Sequence, residues 1–264
     1  MLKDITLGQF FPGNTVVHRL DPRTKILAVI LYIVALFCAD SVLTYAIVAA
    51  VLTVCILASK VPFRSLTKGL KPILLIVIFT AVMNLFFTKG TAICDLWLLR
   101  HITWEVLAAA VKMILRILML IMGTFLMTYT TSPIVLTDAI EQLLKPLGKL
   151  HFPVHELAMM MSIALRFIPT LIEETDKIMN AQKARGADFS TGSIVRRVKM
   201  LLPVLIPLFA SALRRADELA TAMECRCYHG GEGRTRLRIL KLTRADAVAA
   251  LITAAMIALV AVIG

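Results

Sequence analysis

Two arginines stand between small residues at the ends of two helically patterned stretches, Ala184-Arg185-Gly186 and Cys225-Arg226-Cys227. A small-Arg-small tip lets a guanidinium project into a pocket without steric obstruction. Arginine also offers five donors and keeps its charge when buried. One such tip is equally well explained as a solvated arginine on a helix C-terminal dipole, worth roughly a few tenths of a kcal/mol. Two similar tips at the ends of two long helices point to docking instead. With an offset of 41 residues Asp176 falls on Asp217, Ile178 on Leu219, Ala181 on Ala222 and Arg185 on Arg226.

Other chemistry is weakly supported. The chain has no G-x-x-x-x-G-K-[ST] and no H-E-x-x-H, so neither a P-loop nor a zincin site is expected. Cys225-x-Cys227-x-His229 is spaced too tightly for a structural zinc site, which normally uses C-x₂₋₄-C. Lys112 and Arg116 form an i, i+4 pair inside an apolar run. Such a pair is a functional candidate, but snorkelling to the headgroups or facing a neighbouring helix would also accommodate it, and that reading is favoured. Asp40 and Glu105 read as boundary charges. No catalytic, cofactor-binding or metal-ligating residue is assigned.

The elements that must carry the two tips follow from composition. Of 264 residues, 59% are hydrophobic and 17% charged, with a mean hydropathy of +0.83; a soluble domain is nearer 25% charged. The chain is too apolar to be disordered, and 12 Gly with 10 Pro exclude a collagen-like repeat. Five cysteines, Cys38, Cys55, Cys94, Cys225 and Cys227, give no disulfide framework. The first 25 residues contain no apolar stretch of signal-peptide type. The class is an all-α membrane protein with about five spans.

Those spans are expected at 26–39, 41–59, 72–88 and 106–131, forming an N-terminal transmembrane part over 1–131, with a final helix over 245–264 whose apolar run begins at Ala247. Twenty-five of the 29 basic residues then fall on one side: Lys3, Arg19, Arg23 and Lys25; Lys60, Arg64, Lys68 and Lys71; and seventeen between 132 and 244. Lys89 and Arg100 fall on the other. The positive-inside rule places the N-terminus in the cytoplasm and the C-terminus outside. Topology thus accounts for the net charge of +12, and no nucleic-acid-binding signature accompanies it.

Residues 132–244 form the unusual part, a cytoplasmic domain of one short and two long amphipathic helices. Ser132-Pro133 opens the short helix, which Pro146 and Gly148 stop. A second runs from about His155 to Arg185, with Pro169 suggesting a kink and Gly186 ending it. The third runs from Arg196 to Arg226, contains Pro203 and Pro207, and is expected to break at Gly230, Gly231 and Gly233. Met159, Met160, Met161 and Met179 suit either internal packing or a surface that meets several partners.

Taken together, these features resemble the transmembrane T component of energy-coupling factor (ECF) transporters. The likeness covers nearly the whole chain. It rests on His18-Arg19-Leu20-Asp21-Pro22-Arg23-Thr24-Lys25, Pro153-Val154-His155-Glu156-Leu157-Ala158, Ala164-Leu165-Arg166-Phe167-Ile168-Pro169-Thr170, Gln182-Lys183-Ala184-Arg185-Gly186-Ala187 and Ala222-Met223-Glu224-Cys225-Arg226-Cys227-Tyr228. The resemblance implies a multi-pass subunit of a prokaryotic plasma membrane that is not itself an enzyme. Its cytoplasmic helices would be a coupling domain whose tips, Ala184, Arg185, Gly186 and Cys225, Arg226, Cys227, dock into two ABC-type ATPase subunits. The membrane part and upper coupling helices would cradle a small substrate-binding S component for vitamin or metal uptake. The cysteines around Arg226 depart from the usual form but keep the flanking residues small. The alternative class is a self-sufficient permease or channel, which would require polar groups at midplane or broken helices in matched halves.

Overall fold

The computed structural model describes residues 10–87, 104–150, 152–187, 194–230 and 240–263. Lys3, Lys89, Cys94, Arg100, Gly231 and Gly233 lie outside them, as does the side chain of Glu105. Every regular element among the described residues is helical: α1 (Val16–Arg19), α2 (Pro22–Cys38), α3 (Val42–Ser59), α4 (Phe63–Phe87), α5 (Trp104–Thr130), α6 (Pro133–Leu144), a 3₁₀ turn (Lys145–Leu150), α7 (Val154–Ala184), α8 (Ile194–Cys225) and α9 (Arg244–Ile263). The chain divides into two compact units, one of residues 8–136 with 240–264, the other containing 137–239.

In the first unit, α2, α3, α5 and α9 share a core built around Tyr32, Leu36, Tyr45, Val48, Leu52, Met119, Met256 and Val260. Leu27, Ile30, Leu31, Val34 and Phe37 on the other faces of α2 are exposed, so its outer surface is as apolar as its inner one, as lipid requires. Small residues set how closely the helices approach. A Cβ on Gly123 would come within 2.6 Å of the Tyr32 ring, and one on Gly69 within 2.6 Å of Phe125. The Tyr32 hydroxyl donates to the Met119 carbonyl at 2.9 Å, tying α2 to α5 across that contact.

Among the described residues, four helices are long and apolar enough to cross a membrane: Val42–Ser59, Ala108–Thr130, Val154–Ala184 and Arg244–Ile263. Three coincide with expected spans. Helix α2, at 17 residues, covers about 26 Å at 1.5 Å per residue, slightly short of the hydrocarbon thickness. Helix α4 begins at Phe63, not near residue 72, because Arg64 and Lys71 continue the helix although they interrupt the apolar run. Helix α7 meets the length and composition of a span only narrowly, at a mean hydropathy of 1.3 against 2.4 for α3 and α9.

Buried polar groups knit one end of this unit. The Asp246 carboxylate, 2% exposed, accepts from the Asp21 N–H at 2.7 Å and from the Thr243 N–H and hydroxyl at 2.7 and 2.6 Å. Asp21 in turn caps α2 through the Arg23 N–H at 2.9 Å and pairs with the Arg23 guanidinium at 3.0 Å. One carboxylate therefore joins the first turns of two helices that are 225 residues apart in sequence. Buried Lys25 donates to the carbonyls of His18 and Thr130 and to the Thr131 hydroxyl, at 3.0–3.2 Å, closing the end of α5. The segment before α1 is held there too. The Phe11 N–H donates to the Tyr129 carbonyl at 3.0 Å, and His18 bridges the Phe11 carbonyl and the Thr15 hydroxyl at 3.0 and 2.7 Å.

Two outcomes follow. Asp246→Ala orphans the buried Asp21 N–H and opens the Thr243 cap. It should destabilise the folded protein by about 3 kcal/mol, read as a lowered thermal midpoint in detergent, with Thr243→Ala costing less. Burial, helped by the Lys25 charge, lowers the His18 pKa from its usual 6.5, so the fold favours the neutral imidazole. The anchoring it provides is fully present above 6.5 and is lost as pH falls from there through the lowered value. A nitroxide at exposed Asn14 should gain mobility on acidification from about pH 7.5 to about pH 5; His18→Gln should flatten that response.

Candidate functional site

The second unit carries both arginine tips. Helices α7 and α8 have nearly equal lengths, 31 and 32 residues, and are tied directly to each other. The Ser211 hydroxyl donates to Glu174 at 2.5 Å and the Arg215 guanidinium to its other oxygen at 3.0 Å. Gln182 donates to the Pro203 carbonyl at 3.5 Å. Pro207 has no N–H to give to that carbonyl four residues back, so the side-chain amide from α7 supplies what α8 cannot. Glu174 precedes Arg185 by eleven residues, and Arg215 precedes Arg226 by the same number. The tie therefore stands about 16 Å of helix from each tip.

The two helix ends are built alike. At the first, the Arg185 N–H bonds the Gln182 carbonyl, Gly186 bonds Lys183, and Ala187 reaches back to Gln182 at 3.0 Å. At the second, Arg226 bonds Met223, Cys227 bonds Glu224, and Tyr228 reaches back to Met223 at 3.1 Å. Each is a Schellman end, in which backbone N–H groups satisfy the last carbonyls. The left-handed residue that closes the turn is Gly186 in one, with φ of 89°, and Cys227 in the other, with φ of 56°. The 41-residue offset maps each of these bonds onto its counterpart, and the pattern of exposed and half-buried positions over 181–187 repeats over 222–228.

Because the backbone consumes the carbonyls, neither arginine is needed to cap its own helix. Arg185 and Arg226 are both exposed, and no carboxylate among the described residues holds either guanidinium. Ala184, Gly186, Cys225 and Cys227 are exposed beside them, the two cysteines as free thiols. What this arrangement offers is two projecting five-donor cations with open flanks. Helix α8 ends at Cys225, not at the glycines from 230 onward, since the left-handed turn at Cys227 terminates it first. The described residues contain no group of three His, Cys, Asp or Glu able to hold a metal.

The intramembrane cations are used differently. Lys112 donates to the Asp40 carbonyl at 2.6 Å, and Arg116 to the Ala39 carbonyl at 3.0 Å and the Tyr45 hydroxyl at 2.9 Å. The Arg116 guanidinium also lies 5.7 and 5.8 Å from the Phe37 and Tyr45 ring centroids. Both side chains thus close the α2–α3 hairpin, which leaves them a structural task. Asp246 was not anticipated from the sequence. Its signal is Thr243-x-x-Asp246 ahead of an apolar run, a capping box with aspartate in the third position.

A left-handed cysteine is strained by about 1–2 kcal/mol, while glycine is not. Cys227→Gly should slow amide exchange of residues 226–228 and Cys227→Val should accelerate it, as followed by hydrogen-exchange mass spectrometry.

The CbiQ family, described as cobalt transport protein, matches residues 13–237. Energy-coupling factor transporter transmembrane protein EcfT of Acidaminococcus fermentans is 53% identical over 261 residues, covering 99% of this chain and 97% of that protein. The protein of the same name from Ruminiclostridium cellulolyticum is 52% identical over 246 residues, 93% of this chain and 92% of its own length. That of Bacillus subtilis is 49% identical over 247 residues, 93% of each. With similarity of this extent over nearly the whole length, the chain belongs to the family of energy-coupling factor transporter transmembrane proteins.

Proposed function

We propose that this membrane protein is the coupling subunit of an ATP-driven importer, carrying motion from two ABC-type ATPase subunits to a small membrane-embedded S component that binds a vitamin or metal ion. In this reading α2, α3, α4, α5 and α9 span the plasma membrane with the N-terminus in the cytoplasm. Helices α7 and α8 lie on the cytoplasmic side. The lower hydropathy of α7 supports that placement, as do Glu156, Arg166, Glu173, Glu174, Asp176 and Lys177 along its length. The subunit itself performs no bond chemistry; nucleotide hydrolysis belongs to the ATPases.

The observation that carries the proposal is the matched pair of tips. Arg185 and Arg226 project from helix ends with the same backbone bonding, both unengaged and both flanked by small side chains. A guanidinium free of its own helix is available to acceptors on a partner, and truncating one member of a buried charge-assisted pair at an interface costs about 2–5 kcal/mol. The tie between Glu174 on α7 and Ser211 and Arg215 on α8 would make the two tips respond together.

Affinity purification of the assembled complex tests this. Arg185→Glu with Arg226→Glu should reduce the recovered ATPases by at least about tenfold and abolish uptake. Recovery of both ATPases in normal amount, with uptake intact, would rule the docking role out.

A further inference from the structure

The two tips share a backbone and differ in charge. From 176 to 187 the first carries Lys177, Lys183 and Arg185 against Asp176 alone. From 217 to 228 the second carries Asp217, Glu218 and Glu224 against Arg226 alone. The reversal falls on matched positions. At the 41-residue offset Lys177 corresponds to Glu218 and Lys183 to Glu224, and all four are exposed. None of the four lies within ion-pair distance of an opposite charge among the described residues, so none is committed to holding α7 against α8. The constant feature is the arginine; around it one helix end is cationic and the other anionic.

A single partner groove cannot complement both. With the helix-end geometry held constant, a rim that attracts one collar of charge repels the other, and specificity between related surfaces commonly combines such attraction with such repulsion. We infer that the collars assign each tip to a different ATPase subunit: residues 176–187 to a groove with an acidic rim, residues 217–228 to one with a basic rim. This rests on the docking reading proposed above and deepens it, making Lys177, Lys183, Glu218 and Glu224 specificity residues and the ATPase pair a heterodimer.

The test uses the full complex with a photo-crosslinking p-benzoylphenylalanine at Ala181 or at Ala222, matched exposed positions one turn above each arginine. Mass spectrometry identifies the ATPase captured. In the otherwise native protein each position should capture a different ATPase with about fivefold or greater preference. That preference should shrink severalfold between about 0.05 M and about 0.5 M salt, where screening shortens to a few ångströms. Combining Lys177→Glu and Lys183→Glu with Glu218→Lys and Glu224→Lys should invert it. Equal capture of both ATPases at each tip, two identical ATPases in the complex, a salt-insensitive preference, or a charge exchange that leaves the preference unchanged or loses both partners would each overturn the assignment. Arg185→Glu with Arg226→Glu separates the two readings. If it abolishes capture while the collars have no effect, docking stands and the collar assignment falls; if capture persists, docking itself falls.

Discussion

A helix end inside or beside a membrane leaves carbonyls and N–H groups that water cannot fully satisfy, at several kcal/mol each when unpaired in hydrocarbon. Much of the polar architecture here answers that constraint. Asp246 receives the first N–H groups of two helices at once. Lys25 closes the end of α5, and Lys112 with Arg116 closes the turn after α2. Each is a charge whose work is local, and each is recognisable by its backbone partners.

Arg185 and Arg226 stand out against that pattern because their helices end differently. Backbone bonds from Ala187 and Tyr228 reach back five residues and satisfy the terminal carbonyls without help from a side chain. The guanidinium at each end is thereby spare. What separates a capping cation from an available one is whether the turn beyond it closes on itself, which depends on one residue adopting the left-handed conformation. Glycine does so freely at 186; cysteine does so at 227 with strain. In the family to which this chain belongs, such available cations suit the proposed grip on partner subunits.

Much of this was legible in the sequence. Apolar runs located α3, α5 and α9 to within a few residues, and Gly186 marked the end of α7. The runs misjudged α4, since Arg64 and Lys71 are good helix formers that a hydropathy count treats as boundaries. The end of α8 was misplaced at the glycines because a left-handed cysteine has no compositional signal. The fate of Lys112 and Arg116 could not be read at all: their acceptors lie more than seventy residues away, and only packing brings them together. The small-Arg-small tips were legible as a repeated motif, but their matching backbone bonds were not.

The tie between Glu174 and Arg215 has a mechanical consequence. It sits at the same number of residues from each free end, so α7 and α8 resemble two levers of equal arm pinned near a common fulcrum. With arms of about 16 Å, a change of about 10° at the pin would carry either foot about 3 Å. Neither side has a mechanical advantage over the other. Whatever distinguishes the two strokes must come from the surfaces the feet stand on.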